Sequence, residues 1–314
     1  MNTPKTLTRT IREKALELGF SKVGVARAEK LEAEGARLGE WLARGYHGTM
    51  EWMARSPEKR ADVRQILPNA KSVVSLALNY FTPTQHTESP GIGKISRYAW
   101  GDDYHIVMTE RIQSLVDCII SSEPAVNAKF YVDTGPVMDK AWAVRAGVGW
   151  LGKHTNVITK EFGSWVFLGE IILDKELEYD EPMADFCGTC TACIEACPTQ
   201  AIVEGYVLDS TKCISYLTIE HKGGIPDQLK TSFENWVYGC DICQDVCPWN
   251  RFQQTSGERS FLPRSENIDP GIDELENISS EEFARRFKKS PIKRTKREGL
   301  IRNARAAKDG QNNR

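Results

Sequence analysis

The sequence predicts a mixed α/β (α+β) domain followed by a ferredoxin-like double-cluster module, and three observations predict it. Helix-like and strand-like patterns alternate through roughly the first 180 residues, eight of the nine cysteines crowd between Cys187 and Cys247, and the chain turns polar and then basic beyond about Gly257. Three segments follow: 1–178, 179–256 and 257–314. At 314 residues, with 40% hydrophobic and 27% charged side chains, the chain is long enough to bury a substantial core. Lys5, Arg9, Arg12 and Lys14 interrupt every apolar run at the start, so neither a signal peptide nor a membrane span is expected. The expected location is cytoplasmic.

Leu7, Ile11, Ala15 and Leu18 share one helical face, which leads through Gly19 into the short strand SKVGVA. EAEGARLGEWLARG reads as a helix, and KSVVSLALNY (71–80) as a β-branched strand after a Pro-Asn break. DDYHIVMTERIQSLVDCIISS is helical; Cys118 within it sits near Leu115 and Ile119 and reads as a small buried hydrophobe. AKFYVD (128–133), the helical PVMDKAWAVRAG and the strand SWVFLGEIIL (164–173) complete a buried sheet. The acidic linker DKELEYDEPMAD then marks a change of composition.

Cys187, Cys190, Cys193 and Cys197, followed by Pro198, match the bacterial run C-x2-C-x2-C-x3-C-P, in which three cysteines ligate one [4Fe-4S] cluster and the fourth reaches another. A second copy is therefore expected. Cys240, Cys243 and Cys247 before Pro248 supply its last three positions, Val237 stands where the first cysteine belongs, and Cys213 is the natural replacement. The crossed arrangement gives Cys187, Cys190, Cys193 and Cys247 to one cluster and Cys197, Cys213, Cys240 and Cys243 to the other. Paired zinc sites, the bland alternative, usually separate C-x2-C pairs by longer loops.

Two clusters that exchange ligands form a one-electron relay, and a relay feeds something. No G-x-G-x-x-G follows a strand and no P-loop is present, so a dinucleotide fold lacks support. His47, His86, His105, His154 and His221 are scattered, form no metal pair at helical spacing, and read as ordinary surface or core histidines.

EKRADVRQILPNAKSVVS, SRYAWGDDYH, YVDTGPVMDKAWAVRAGVGWLGKHTNVIT, the cysteine block, KCISYLTIEHKG and GCDICQDVCPWN together resemble the epoxyqueuosine reductase family over nearly the whole chain. The resemblance implies a cobalamin-dependent, double [4Fe-4S] enzyme acting on epoxyqueuosine in the anticodon loop of tRNA, with an N-terminal cobalamin-binding domain of nitroreductase-like topology akin to that of reductive dehalogenases. It further implies base-off cobalamin, since the echo of a D-x-H-x-x-G signature at Asp103 and His105 places Met108 at the glycine, and it implies an external low-potential electron donor. By similarity Asp133 is the proton donor, which requires that burial raise its pKa; a helix cap or Asx-turn is its bland role. Arg60, Tyr98, Asn156 and Ser210 lie in family-like segments and are candidates to contact the corrin. As bland roles, Arg60 pairs with nearby acids and Tyr98 only packs.

Between Arg285 and Lys308 eleven basic residues face Glu298 alone, a one-sign surface that suits an RNA backbone. Candidate tRNA contacts are Lys293, Arg294, Lys296, Arg297 and Arg302, with His221 and Lys222 in the IEHKG loop; Trp236, Tyr238 and Trp249 are candidates to stack on an unpaired base. Two other readings compete: a cobalamin enzyme acting on a small molecule, against which the basic tail counts, and a plain electron carrier with no substrate pocket.

Overall fold

The structure is a computed structural model and describes residues 3–312. The helix α1 (Pro4–Glu17) begins at Thr3, whose hydroxyl accepts from the Thr6 amide, and carries Pro4 in its first turn, where no N–H is needed. It leads into β1 (Lys22–Arg27), then α2 (Glu32–Ala43) and β2 (Ser72–Asn79). After α3 (Tyr104–Ser122) come β3 (Ala128–Tyr131), α4 (Asp139–Arg145) and β4 (Val166–Leu173). The four strands form an antiparallel sheet in the order β1-β2-β4-β3, so the four strand segments expected from sequence pair with one another.

Strand alternation assigns the two faces. Val74, Leu76 and Leu78 of β2, with Phe167, Ile171 and Leu173 of β4, pack under α1 and α3 through Leu7, Ile11, Ile112 and Leu115. Val73 and Ala77, with Leu168 and Ile172, meet Trp142 and Ala143 of α4 on the other side. Both faces are covered, so β2 is buried at every position. Close packing sets one glycine: a Cβ on Gly24 would lie 2.0 Å from the Ala146 carbonyl oxygen, so β1 meets the end of α4 only without a side chain there. Cys118 is half-buried, which corrects the expectation of a fully buried thiol; its neighbours Leu115, Val116 and Ile119 are the buried residues of that stretch.

The C-terminal part is woven into the rest. Lys94–Ile95 pairs in parallel with Trp236–Tyr238, and both pack with α6 (Lys296–Asn312) around Trp100, Phe287 and Leu300. The buried Asn303 amide donates to the Thr218 and Val237 carbonyls, tying α6 to α5 (Ile214–Ile219). Trp236 and Tyr238 are therefore core residues, 2% and 0% exposed, and neither is available to a nucleic-acid base. That corrects the stacking expectation for both: the strand that carries them runs through the join.

Candidate active site and the thiol-lined cavities

A cavity of about 450 Å³ opens between the sheet and the cysteine-rich part, and Asp133, Asp139, Lys140, His154 and Asn156 line one side of it. Cys197, Cys213, Cys240 and Cys243 line the other, with Tyr98 and Ser210 also on the wall. A second cavity of about 190 Å³ is bounded by Cys187, Cys190, Cys193 and Cys247 together with Phe186 and Trp249. The two sets of four thiols that the spacing separates thus lie at two different voids. Among the described residues no three His, Cys, Asp or Glu side chains converge on a single-ion position, so the thiols surround space instead of meeting at a point. Backbone N–H groups point at sulfur, as from Ala201 to Cys197 Sγ at 3.3 Å. Such donors are what an anionic iron–sulfur cage uses.

Asp133 stands two residues beyond the end of β3 in the left-handed region, φ 57°, a conformation that aspartate tolerates better than most residues. Gly135 lets the turn close, since a Cβ there would sit 2.1 Å from the Tyr131 ring. The Asp133 side chain is 56% exposed toward the cavity and does not cap α4, whose cap is Met138. Tyr104 donates its hydroxyl to Asp133 Oδ2 at 3.0 Å, and His105 Nε2 lies 3.4 Å from the same oxygen. His105 Nδ1 is 2.7 Å from Asp103 Oδ1, and Asp103 also caps α3 by accepting from the His105 amide. Desolvation opposes ionisation of Asp133, but the His105 hydrogen bond and charge and the Tyr104 hydroxyl outweigh it, so its pKa is held below the ordinary value. The expectation of a raised pKa is corrected for that reason. Desolvation likewise opposes a charged His105, yet the two flanking carboxylates push its pKa up to about 9. These opposite shifts favour a proton on His105 and a carboxylate at Asp133 near neutral pH.

Two further carboxyls stand on the sheet side. Burial and the Asp133 charge raise the pKa of Asp139. Glu170, 0% exposed on β4, receives the Ser75 hydroxyl at 3.4 Å, and burial raises its pKa well above the usual range. His154 borders both cavities and is 4% exposed; its Nδ1 accepts from the Asn156 amide while Nε2 has no partner, and burial lowers its pKa to about 4. Sequence reasoning passed over His105 and His154 because their partners are set by the fold. The only local signal was the Asp103-Tyr104-His105 triplet.

The corrin candidates divide. Tyr98, Asn156 and Ser210 are on the cavity wall, and Asn156 Oδ1 accepts from Lys140 Nζ at 3.1 Å. Arg60 is not on that wall: it is 7% exposed behind it, donates to the Trp52 carbonyl, and feels Asp139 and Asp133 at longer range.

The basic segment also divides, and the one-sign surface is corrected. Arg285 pairs with Glu266 and Glu282, Arg286 with Glu274, and Lys308 with Asp273 and Glu276, acids that precede the run and fold back onto it. Arg302 donates to the Leu217, His221 and Gly223 carbonyls and so clamps the IEHKG loop, and Arg297 donates to the Ile278 carbonyl, which corrects both as open phosphate contacts. Lys222, Lys293 and Lys296 are exposed and form no ion pair among the described residues. Arg294 grips Glu220, a cavity residue, with two bonds of 3.0 Å, and His221 Nε2 faces the Gly224 carbonyl.

Comparison with known proteins meets this geometry at several levels. Residues 186–250 match the 4Fe-4S double cluster binding domain, and residues 60–134 match the family described as Epoxyqueuosine reductase QueG, DUF1730. The epoxyqueuosine reductase of Cellulophaga algicola is 46% identical over 303 residues, covering 96% of this chain and 98% of that one. The crystal structure of an epoxyqueuosine reductase with an epoxyqueuosine-modified tRNA-Tyr stem loop superposes with a TM-score of 0.90 at 35% identity, covering 97% of this chain and 81% of the other. A catabolic reductive dehalogenase shares the fold alone, with a TM-score of 0.53 at 18% identity over 80% of this chain and 33% of that one. Similarity that runs at this level through nearly the full length of both chains decides against a dehalogenase of small molecules and against a bare electron carrier: the chain belongs to the epoxyqueuosine reductase family.

Proposed function

We propose that this reductase holds one [4Fe-4S] cluster on Cys187, Cys190, Cys193 and Cys247, a second on Cys197, Cys213, Cys240 and Cys243, and base-off cobalamin in the larger cavity. The reading is carried by one observation: the second set of thiols and the Asp133 carboxylate line the same cavity. The wall suits a broad ligand with amide arms, since Val157, Leu208 and Ile219 supply apolar surface while Asn156, Ser210 and the unpartnered His154 Nε2 supply polar contacts. When bound, the clusters relay single electrons and the cobalt centre supplies low-potential reduction of a strained epoxide.

The family reaction converts epoxyqueuosine to queuosine, removing the epoxide oxygen as water with two electrons and two protons. The residues of this chain supply a proton and its direction. His105 holds the proton beside Asp133 Oδ2, and Asp133 passes it to the oxygen that leaves carbon. A ligand that fills the cavity strips water from Asp133, raising its proton affinity at the moment the proton is needed. Tyr104 fixes the carboxylate, and Arg60 offsets the acids from behind the wall.

We further propose that Lys222, Lys293, Arg294 and Lys296 neutralise phosphates of the tRNA anticodon arm at the cavity mouth, with His221 held in place beside them by Arg302. No helix among the described residues is long and apolar enough to cross a membrane. A cytoplasmic location is part of the proposal, on the ground that its tRNA substrate is found there. The segments 1–178, 179–256 and 257–314 then divide as cofactor-binding, cluster-binding and RNA-facing parts. Digestion of tRNA from cells lacking the gene tests the whole: epoxyqueuosine accumulates on this reading, and unchanged queuosine overturns it.

A further inference from the structure

We infer that the aromatic face beside Cys187, Cys190, Cys193 and Cys247 is the docking surface for an acidic one-electron donor protein. The inference rests on the reading that these four cysteines hold a cluster. Phe186 and Phe252 are 39% and 43% exposed and stand at the two ends of one aromatic cluster, which makes them part of a patch and not scattered single residues. They are the outer ends of a continuous ring series: Trp150 lies 5.1 Å from Phe186 and 4.8 Å from Trp249, and Trp249 lies 5.6 Å from Phe252. Trp150 is 2% exposed and packs with Cys247, so the series runs from the cavity wall to the surface. Cys190 is itself exposed at this end.

Charge names the kind of partner. Lys160 Nζ stands 4.6 Å from the Phe186 ring centre and Arg251 Cζ 4.6 Å from that of Phe252, while Lys153 Nζ caps the cysteine loop through the Gly188 and Cys190 carbonyls. None of the three cations forms an ion pair among the described residues. The neighbouring acid Asp185 is held by the Tyr206 hydroxyl and accepts from the Cys187 amide. An apolar centre with a basic rim complements an acidic surface, and small, transient contacts are the rule for electron carriers. The nucleotide to be reduced must instead reach Asp133, which lines the other cavity, so RNA has no reason to cover these rings. The step is one electron leaving the donor's reduced centre and entering the oxidised cluster; no bond is made or broken.

Reduced flavodoxin, an acidic carrier, serves as the probe, with dithionite as a small reductant that needs no docking. In the holoenzyme carrying Lys160→Glu and Arg251→Glu, and separately Phe252→Ser, the second-order rate of cluster bleaching by flavodoxin falls roughly tenfold or more, and the charge reversal flattens its dependence on salt. Bleaching by dithionite, iron content and affinity for an anticodon stem loop stay at the wild-type level. An unchanged flavodoxin rate in these variants overturns the docking surface, and so does lost stem-loop affinity with an unchanged flavodoxin rate, which assigns the rings to RNA. Wild-type protein that takes up no iron, or that dithionite does not bleach, overturns the cluster reading itself.

Discussion

The two thiol-lined cavities differ in what surrounds the sulfur. The smaller is bordered by exposed aromatic groups and cations without ion-pair partners among the described residues, with Cys190 at the surface; the larger is walled by Asp133, Asp139, a buried His154 whose pKa is lowered, and apolar side chains, with His105 just behind Asp133. On the proposed reading, one end receives an electron from outside and the other combines it with a proton. The difference teaches that the order of the relay is set by surroundings more than by the cysteine motif, which the two sites nearly share.

Breaking the inner end has the largest expected effect. On the proposed ligand sets Cys240→Ser removes one ligand of the inner cluster; turnover then falls to background while the outer cluster's paramagnetic signal persists after dithionite reduction. The reciprocal Cys190→Ser leaves the inner signal and slows delivery. Asp133→Asn comes next: it keeps the shape and the Tyr104 contact site but neither accepts nor passes a proton, so single-turnover rates fall by roughly 10²–10⁴ with cofactor content unchanged. Full turnover in the Asn variant ends the donor role.

His105 sharpens the comparison through pH. Its pKa is raised to about 9, so the proton is present at neutrality and is lost as pH rises through about 9. Wild-type turnover therefore declines on the alkaline side across that value, whereas His105→Gln is slower at neutrality and lacks that limb. An unaltered alkaline limb in the variant, read from single-turnover rates in buffers of constant ionic strength, removes His105 from the proton path.

The pattern of what the sequence showed follows from distance along the chain. The grouping of the thiols about two cavities was legible because cysteine spacing is local and the crossing rule supplies the one long-range link. β2 and β4 were legible because they are buried along nearly their whole length and so read as continuous apolar runs, while β1 and β3 were legible as short β-branched or aromatic runs. The pKa of Asp133 was not, because it depends on His105, which lies on a helix before β3 and meets Asp133 only in the folded sheet. The basic tail misled for the same reason: Glu266, Glu274, Glu276 and Glu282 neutralise it from just upstream, where a window starting at Arg285 does not look. Lys293 and Lys296, which are exposed and escape that pairing, are the stronger candidates for RNA contact on the proposed reading. Their joint replacement by Ala raises the stem-loop KM several-fold and reduces the salt slope by about two, with kcat retained.

The smallest effect belongs to Glu170, which has neither solvent nor a counter-charge. Burial holds its pKa well above the ordinary 4.5, so the folded protein keeps a proton there that the unfolded chain gives up. Stability therefore falls as pH rises from about 4.5 toward the folded value, because the native state binds more protons than the unfolded state across that window. Glu170→Gln replaces the neutral acid with a neutral amide of the same shape and can still accept from the Ser75 hydroxyl. Near pH 4 the two proteins unfold within roughly 1 kcal/mol of each other, and as pH rises toward 7 the Gln variant gains on the wild type in denaturant titrations, with turnover unchanged. A Gln variant that instead loses stability relative to the wild type as pH rises above 5 shows that Glu170 is ionised in the fold and that the sheet carries one more negative charge than its geometry indicates.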